Sequence, residues 1–397
     1  MNEVFRRPIV QRIISALNRE HPLLNIIIGP RQVGKTTAAL DIAARWTGEV
    51  HYANCDLSLG AGAEWIVFQW NRIRQKEDSD DCHKLLILDE IQKIKGWSEA
   101  VKGLWDQDRQ DGNRIKVILL GSSSLLLTRG LTESLAGRFF LHRFTHWTYP
   151  ECLEAFGWDF DRWIYFGGYP GAAPLTDDLD SWKRYVTDSL IETVVSRDVL
   201  ALQTVHKPAL LKNLFTLTAA YPAQVLSFNK MLGQMHDAGN TTTLSHYLQL
   251  LETAFLISGL ENHSGSAIRR RSSSPKLILW NNALVTALDT RSFQDARNDT
   301  VWWGRLIENA VGAHLVNNFQ TMKYRVMYWR KQNREVDFII LSGKKIWAIE
   351  VKSGSIGKTQ GLTIFCKTHP EAVPIIVGHG GIPPDEFLAR PPEKYLV

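Results

Sequence analysis

The chain has 397 residues, of which 44% are hydrophobic and 22% charged, a globular composition that excludes a disordered or fibrous protein and predicts two or three domains. A net charge of +5 is compatible with nucleic-acid binding but is too small to establish it. The four cysteines include no C-x-x-C pair, which argues against a zinc site or a disulfide framework and favours a reducing, cytoplasmic compartment. No signal-peptide core and no bilayer-length apolar run is present, so we expect no membrane partner.

Residues 1–150 alternate short apolar runs with helical segments. The predicted strands are "NIIIG", "VHYANC", "LLILDE" and "KVILLG". Strands that are apolar along their whole length and separated by helices are typical of a parallel sheet with both faces covered. We therefore expect an α/β nucleotide-binding domain here.

The first strand runs into "GPRQVGKTT", which fits the G-x-x-x-x-G-K-[ST] phosphate loop. Its glycines allow backbone N–H groups to approach phosphates, and the following helix N-terminus adds positive potential. Lys35 is expected to contact the β and γ phosphates of ATP, and the Thr36 hydroxyl to bind Mg²⁺. The candidate nucleotide-binding residues of this loop are Gly29, Pro30, Arg31, Gln32, Val33, Gly34, Lys35, Thr36 and Thr37.

The strand in "KLLILDEIQKI" delivers an acidic pair, as the Mg²⁺-side partner of such a loop does. Asp89 is expected to hold Mg²⁺ through water, and Glu90 to polarise the attacking water. Together the two motifs predict ATP binding and hydrolysis.

Two further residues are candidates for sensing the γ-phosphate. Ser122 follows the strand "VILLG", and it either sits beside the phosphates or caps a helix. Arg138, in "LAGRFF", is either an arginine finger or part of a structural ion pair.

Residues 151–204 are predicted to be a helical lid or linker, and residues 205–300 a winged-helix-like region. A helix-turn-helix pattern with Thr241 or Thr242 as N-cap precedes the basic loop "SGSAIRRRSSSPK". A basic loop between strands is suited to phosphate contacts, although a solvated loop is the alternative. The candidate nucleic-acid contacts are Arg269, Arg270, Arg271 and Lys276.

Near the C-terminus, "EVDFIIL-SGK-KIWAIEV" predicts a hairpin. A two-residue loop at Ser342-Gly343 would pair Asp337 with Ala348, and a four-residue loop, 342–345, would set Asp337 opposite Glu350. With either even length, Asp337 shares a face with Glu350 and Lys352, whereas an odd loop would separate them unless a bulge intervenes. Two carboxylates beside a lysine suit metal-dependent phosphodiester cleavage, with Mg²⁺ or Mn²⁺ on the carboxylates. Glu308, in an otherwise apolar helical stretch, is a candidate further ligand, and a Lys–Asp/Glu pair on an edge strand is the structural alternative.

This combination resembles the AAA-type ATPases of bacteria and archaea, related to the STAND and archaeal ATPase group, that carry a C-terminal domain similar to PD-(D/E)XK restriction endonucleases. The matching stretches include "GPRQVGKTT", "LILDEIQKI", "YFGGYP", "GRLIENAV", "EVDFII" and "IEVKSG". The resemblance implies an AAA-type core at 1–150, a winged helix within 205–300, and a nuclease-like α/β fold at 301–397. It carries Asp337, Glu350 and Lys352 onto the D…E-x-K positions and Glu308 onto an acidic helix position. The chain departs from the pattern in "REVD", which lacks the proline.

The leading hypothesis is a cytoplasmic, DNA-associated ATPase whose ATP state controls a metal-dependent nuclease-like domain, with self-association left open. The alternative is a nucleotide switch whose C-terminal fold only binds DNA or a protein partner. An open cleft around Asp337, Glu350 and Lys352 would favour the nuclease, and a closed packing contact the switch.

Overall fold

The computed structural model describes residues 5–19, 23–57, 60, 62–76, 83–121, 134–202, 205, 207–235, 239–264, 273–320, 323–352, 354 and 360–397. The chain divides into two compact units, Met1–Thr145 and His146–Val397. The second unit contains the segments predicted as lid or linker, winged-helix-like region and nuclease-like domain, and their separate boundaries stay predictions.

The first unit contains a five-stranded parallel sheet. Its strands are β1 (Leu24–Ile28), β2 (Val50–Asn54), β3 (Lys84–Asp89), β4 (Ile115–Gly121) and β5 (Phe139–Arg143). Their spatial order is β2-β3-β4-β1-β5. Every residue of β1, β3 and β4 is buried, as the uninterrupted apolar runs predict. Four of the strands were expected, but β5 was missed because "FFLHR" mixes aromatic and charged residues on a half-buried edge strand.

Four α-helices accompany this sheet in the described part of the first unit. They are α1 (Pro8–Leu17), α2 (Lys35–Arg45), α3 (Ala63–Arg74) and α4 (Trp97–Asp111), and short 3₁₀ turns lie at Cys55–Leu57 and Ile91–Lys93. α1 begins with proline at its first position, where no N–H is needed, and it buries Ile9, Ile13 and Leu17 at helical spacing. The carboxyl ends of β1 and β3 lead directly into the phosphate loop and the acidic pair.

The second unit contains mostly helices around two small sheets. The helices are α5 (Tyr149–Phe156), α6 (Phe160–Phe166), α7 (Leu179–Arg184), α8 (Val199–Leu202), α9 (Pro208–Ala219), α10 (Phe228–Gly233), α11 (Thr241–Thr253), α12 (Ala283–Thr286), α13 (Phe293–Asn298), α14 (Thr300–Asn318), α15 (Gln360–Thr368) and α16 (Pro384–Ala389). Turns of 3₁₀-helix lie at Pro170–Leu175 and Pro392–Tyr395, and π-helical turns at Tyr185–Glu192 and Val194–Asp198. Among all described residues, no helix is both long enough and apolar enough to span a bilayer.

The two helices α10 and α11 are followed by an antiparallel pair of strands, β6 (Ile257–Leu260) and β7 (Lys276–Leu279). Leu244, Leu248 and Leu251 are buried on one face of α11, at the spacing read from the sequence. The N-cap of α11 is Asn240, whose side chain accepts from the Thr243 N–H, so the assignment to Thr241 or Thr242 was wrong by one or two residues. Asparagine is as good an N-cap as serine, which is why the pattern placed the start ambiguously.

A four-stranded mixed sheet follows α14. Its strands are β8 (Arg325–Lys331), β9 (Arg334–Ser342), β10 (Lys345–Lys352) and β11 (Ala372–Gly378), in the spatial order β11-β10-β9-β8. β8, β9 and β10 are antiparallel neighbours, whereas β11 joins β10 in parallel after the crossover helix α15. Apolar residues of these strands and of α15, among them Val336, Ile339 and Phe365, form one core cluster.

The β9–β10 hairpin has a two-residue loop. Ser342 pairs with Lys345, and the ladder continues to Phe338 paired with Ile349. Gly343, at the first loop position, has φ 58°, a backbone conformation that glycine adopts without strain. The loop thus lies one residue later than the predicted Ser342-Gly343, and Ala348 pairs with Ile339, so the predicted pairing of Asp337 with Ala348 was wrong. Continued by one step beyond the paired residues, this register would set Asp337 opposite Glu350.

Candidate functional site

The phosphate loop joins the buried strand β1 to the helix α2. Gly34 has φ 87° and immediately precedes the first helical residue, Lys35, so the turn depends on the left-handed conformation that glycine tolerates. A Cβ on Gly29 would overlap the carbonyl oxygen of Phe144, which follows β5. Both glycines therefore meet a backbone requirement of the loop.

The Lys35 ammonium lies over this loop. Its Nζ donates to the carbonyl oxygens of Gly29 (3.0 Å) and Pro30 (2.7 Å), and the side chain is 8% exposed. A buried cation at the start of a helix beside a glycine-rich loop is suited to binding phosphate oxygens.

Asp89 collects hydrogen bonds at the carboxyl end of β3. Its Oδ2 accepts from the hydroxyls of Thr36 (2.8 Å) and Tyr52 (3.0 Å), and its Oδ1 accepts from the Glu90 N–H (2.9 Å). Burial, and then the Asp89 carboxylate, raise the pKa of Tyr52 to about 12, so the phenol stays protonated and donates. The Thr36 and Asp89 oxygens form a hard donor set of the kind that Mg²⁺ prefers, so these residues would hold the ion.

Glu90 adopts a left-handed conformation, with φ 55°. This is uncommon outside glycine and directs the chain from β3 into the 3₁₀ turn at Ile91–Lys93. The Gln92 amide donates to Glu90 Oε2 at 2.6 Å, which fixes the carboxylate beside Asp89. Strained non-glycine residues cluster at functional sites, which is consistent with a catalytic role for Glu90.

A second cluster, built from carboxylates around Lys276, lies on one face of the four-stranded sheet. Lys276 is 0% exposed, and its Nζ lies 2.6 Å from Glu308, 3.1 Å from Glu335 and 3.2 Å from Asp337. The ammonium also lies 5.0 Å from the centroid of the Phe338 ring. Burial alone would lower the pKa of Lys276, but Glu308, Asp337 and Glu335 outweigh it and raise that pKa, so the amine stays charged.

Glu350 and Lys352 complete this cluster on β10. Lys352 Nζ lies 2.5 Å from Glu350 Oε1, and Asp337 Oδ2 accepts from the Val351 N–H at 2.8 Å. Glu350 Oε2 is buried without a hydrogen-bond partner among the described residues. Burial, followed by the Asp337 charge, raises the pKa of Glu350. Carboxylates crowded in this way favour a cation between them.

One predicted nucleic-acid contact needs correction. Lys276 is the first residue of β7, and it is fully buried among carboxylates rather than exposed on a basic loop, so it is not available to a phosphate backbone. The other three predicted contacts, Arg269, Arg270 and Arg271, lie outside the described residues, as does Ser122.

Comparisons with known proteins divide the chain into three matches. Family models match an AAA domain at residues 21–153 and two domains of unknown function, DUF8612 at 157–295 and DUF4143 at 303–382. With the phosphate loop and the Thr36–Asp89 pair, the first match decides the nature of the N-terminal part. Residues 21–153 form an AAA-type P-loop ATPase domain.

The relatives that match over longer stretches are distant. An uncharacterised protein of Methanocaldococcus jannaschii is 23% identical over 283 residues, which cover 66% of this chain and 59% of that protein. An uncharacterised protein of Haemophilus influenzae is 23% identical over 291 residues, covering 70% and 68%. The match thus spans less than two thirds of the archaeal relative.

Two solved structures of the RuvB Holliday junction branch migration motor of Thermotoga maritima are also similar. One is 16% identical with a TM-score of 0.34, and it covers 65% of this chain and 91% of that one. The other, a single-substitution variant of RuvB, is 17% identical with a TM-score of 0.33, and it covers 65% and 89%.

Arg138 lies at the amino end of the ATPase sheet, away from the phosphate loop. Its backbone carbonyl accepts from the N–H of Leu24, the first residue of β1, whereas the loop follows the last residue of that strand. Its guanidinium makes a bidentate pair with Asp106 on α4, at 2.8 and 3.0 Å. Within the chain, Arg138 thus forms the structural ion pair that was the alternative to an arginine finger. It does not reach the phosphate loop of the same chain.

Three residues of these sites, Tyr52, Gln92 and Glu335, were not predicted from the sequence. Glu335 was detectable, because it lies two residues before Asp337 and therefore shares its face of β9. Gln92 and Tyr52 carried weaker signals, since a polar residue near a strand end has many possible partners.

Proposed function

We propose that the AAA-type domain binds and hydrolyses ATP with Mg²⁺. The observation that carries this proposal is the hydrogen bond between Thr36 on the phosphate loop and Asp89 on β3, because it brings the two expected Mg²⁺ residues within 2.8 Å. Mg²⁺ would neutralise charge on the phosphate oxygens. Lys35 would bind the β and γ phosphates, and Glu90 would orient and polarise the attacking water.

Replacing Lys35 by alanine tests this proposal. We expect ATP binding to weaken and turnover to fall by roughly two orders of magnitude or more, because positioned charge supplies most of the stabilisation in phosphoryl transfer. The measurement is steady-state phosphate release with and without Mg²⁺. Lys102 is an exposed lysine on α4, so K102A is the matched control and should retain full activity. Unchanged turnover in K35A would show that the ATPase assignment is wrong.

For the second unit we propose a metal-dependent, nuclease-type site that acts on DNA under the control of the ATP state. The supporting observation is a pair of contacts on β10: Asp337 Oδ2 accepts from the Val351 N–H at 2.8 Å, and Lys352 Nζ lies 2.5 Å from Glu350 Oε1. Asp337, Glu350 and Glu308 would hold Mg²⁺ or Mn²⁺, and Lys352 would stabilise charge on the scissile phosphate. The arrangement α14-β8-β9-β10-α15-β11 is compatible with the resemblance to restriction endonucleases.

The test is incubation of the protein with plasmid, linear and single-stranded DNA, with and without ATP, in Mg²⁺ or Mn²⁺. We expect cleavage by the natural sequence and its loss, by roughly a hundredfold or more, in E350A and K352A, because each change removes a group that faces the reacting phosphate. K367A, which removes an exposed lysine of α15, is the matched control. Cleavage that persists in E350A would exclude this carboxylate from the chemistry.

A second candidate function is a nucleotide switch whose C-terminal fold binds DNA or a protein partner without cutting. The specific observation in its favour is Lys276, whose buried ammonium pairs with Glu308, Glu335 and Asp337 in a closed contact. Under this hypothesis the natural protein would bind DNA in an ATP-dependent way and leave every substrate intact in Mg²⁺ and in Mn²⁺.

A further inference from the structure

The carboxylates around Lys276 are oriented toward a single point. Glu308 directs Oε1 to the Lys276 ammonium and Oε2 to Arg305 (3.4 Å). Glu335 likewise directs Oε1 to Lys276 and Oε2 toward Arg330 (4.0 Å). The rim arginines thus take the outer oxygens, and the inner oxygens converge on the ammonium.

The geometry of this point suits a small cation. One oxygen from each of Glu308, Glu335 and Asp337 lies within 4.8 Å of the others, a spacing from which three carboxylates can coordinate one ion. An independent observation points the same way. Glu350 is 6% exposed and keeps an oxygen without a hydrogen-bond partner in the described structure, and the next residue, Val351, donates its N–H to Asp337 Oδ2 at 2.8 Å.

We propose that Lys276 is an internal cation that occupies a divalent-metal site, and that Mg²⁺ or Mn²⁺ binds to Glu308, Glu335 and Asp337 by displacing its ammonium. The proposal rests on the nuclease-type site proposed above and adds two residues to it, the ligand Glu335 and the competitor Lys276. A divalent ion replaces one positive charge by two, and it draws the oxygens from the 2.6–3.2 Å of an ammonium contact to the roughly 2.1 Å of a Mg²⁺–oxygen bond.

The consequence is that metal affinity depends on the position of β7. While Lys276 stays within reach of Glu308, its ammonium pairs with the carboxylates, and a divalent ion must compete with this tethered cation. A movement that withdraws the start of β7 would free the carboxylates. Lys276 therefore controls access of the divalent ion to the carboxylates, and it acts neither as a metal ligand nor as an acid.

The test measures Mn²⁺ binding to the nucleotide-free full chain. Unbound Mn²⁺ is quantified by its electron paramagnetic resonance signal. All proteins carry D89N, so that the ATPase site does not contribute. We expect K276M to bind one Mn²⁺ roughly ten- to a hundredfold more tightly than the parent, which is the usual range of coupling between competing ligands. K276R retains the cation and should match the parent, and K276M/E335Q should lose most of the gain. Equal Mn²⁺ affinity in K276M and the parent would overturn the proposal.

Because K276M leaves carboxylates without their counter-charge, it could fail to fold without metal, and a second measurement uses the unaltered Lys276. Acetylation of the parent by an amine-reactive reagent, read by mass spectrometry, should spare Lys276 and increase at this residue when Mn²⁺ saturates the protein. Protection of Lys276 at saturating Mn²⁺ would contradict displacement.

A parallel DNA cleavage assay separates this proposal from the nuclease hypothesis. If K276M binds Mn²⁺ more tightly than the parent but leaves DNA intact, the result supports displacement of Lys276 by the metal and refutes the nuclease hypothesis. If the parent cleaves DNA and K276M has unchanged Mn²⁺ affinity, the result supports the nuclease hypothesis and refutes displacement of Lys276 by the metal.

Discussion

At the scale of single residues, several polar side chains are held by contacts with residues that are distant in sequence and could not be predicted from the local pattern. Asp89 was predictable, because a carboxylate at the end of a buried strand following a phosphate loop has few other uses. Its partner Tyr52 was not, since the hydrogen bond between them joins two strands of different motifs. Lys276 was assigned wrongly for the same reason: a lysine five residues after a run of three arginines suggests a basic surface, whereas its carboxylate partners lie 32 to 61 positions away.

His314 provides a prediction of pH dependence. It lies on α14, where its Nε2 donates to the Arg390 carbonyl oxygen at 3.0 Å, and burial lowers its pKa to about 4. The unfolded chain takes up this proton near pH 6.5, whereas the folded chain stays neutral until about pH 4, so the unfolded state binds more protons in between. The free energy of unfolding should therefore fall as the pH drops from 6.5 to 4, with His314 contributing at most about 3 kcal/mol.

The measurement is urea unfolding across that pH window for the natural protein, H314Q and H379Q. H314Q should show a shallower loss of stability, because the group that titrates is gone. His379 is exposed, so H379Q is the matched control and should follow the natural protein. An identical slope in H314Q would mean that other groups account for the acid sensitivity.

At the scale of elements, apolar patterning located the strands, but it did not define how they pack. β1, β3, β4 and the three strands of the C-terminal meander follow from uninterrupted or alternating apolar runs. The edge strand β5 was not predicted from the sequence, because edge strands tolerate polar residues on both faces and lack a clear apolar pattern. Close contacts between a glycine and a neighbouring backbone were also not predictable. From the sequence alone, a glycine within a helix indicates only a lower helix propensity.

Gly361 is such a close approach. It lies in the first turn of α15, and a Cβ there would overlap the backbone carbonyl oxygen of Glu335 on β9. G361A should lower the free energy of unfolding by about 1–3 kcal/mol, the usual cost of overpacking.

Gly103, inside α4, supplies the opposite case, because a methyl group added there would meet no described atom within 4 Å beyond its own helix and chain neighbours. G103A should raise the free energy of unfolding by roughly 0.5–1 kcal/mol, because alanine is the better helix former. Denaturant unfolding of both variants checks the pair, and a tolerated G361A would mean that α15 shifts away from β9.

At the scale of the whole molecule, the two chemistries are segregated along the chain. Every residue of the nucleotide site precedes Thr145, and every residue of the carboxylate cluster follows His146. Composition predicted more than one domain, but a length and a charge of +5 carry no information about which segments merge into a unit. The division into two units arises from contacts between helices and strands distant in sequence, which single-chain patterning does not reveal.

This segregation gives a prediction for thermal unfolding. ATP with Mg²⁺ binds folded protein only, so at a hundredfold excess over Kd it should stabilise the first unit by about 2.7 kcal/mol and raise the melting temperature of the transition to which that unit contributes. Differential scanning fluorimetry or calorimetry measures the shift. K35A should show little or no shift, and a full shift in K35A would place the bound nucleotide elsewhere.

The two-residue loop at Gly343–Lys344 has a consequence for insertions and deletions. Surface turns usually accept extra residues freely, but here the parity of the loop decides which face of the sheet receives Asp337 relative to Glu350. One inserted residue would send the two carboxylates to opposite faces unless a bulge absorbed it, whereas two would keep them together. Across relatives that preserve both carboxylates, the spacing between them is therefore expected to change in steps of two.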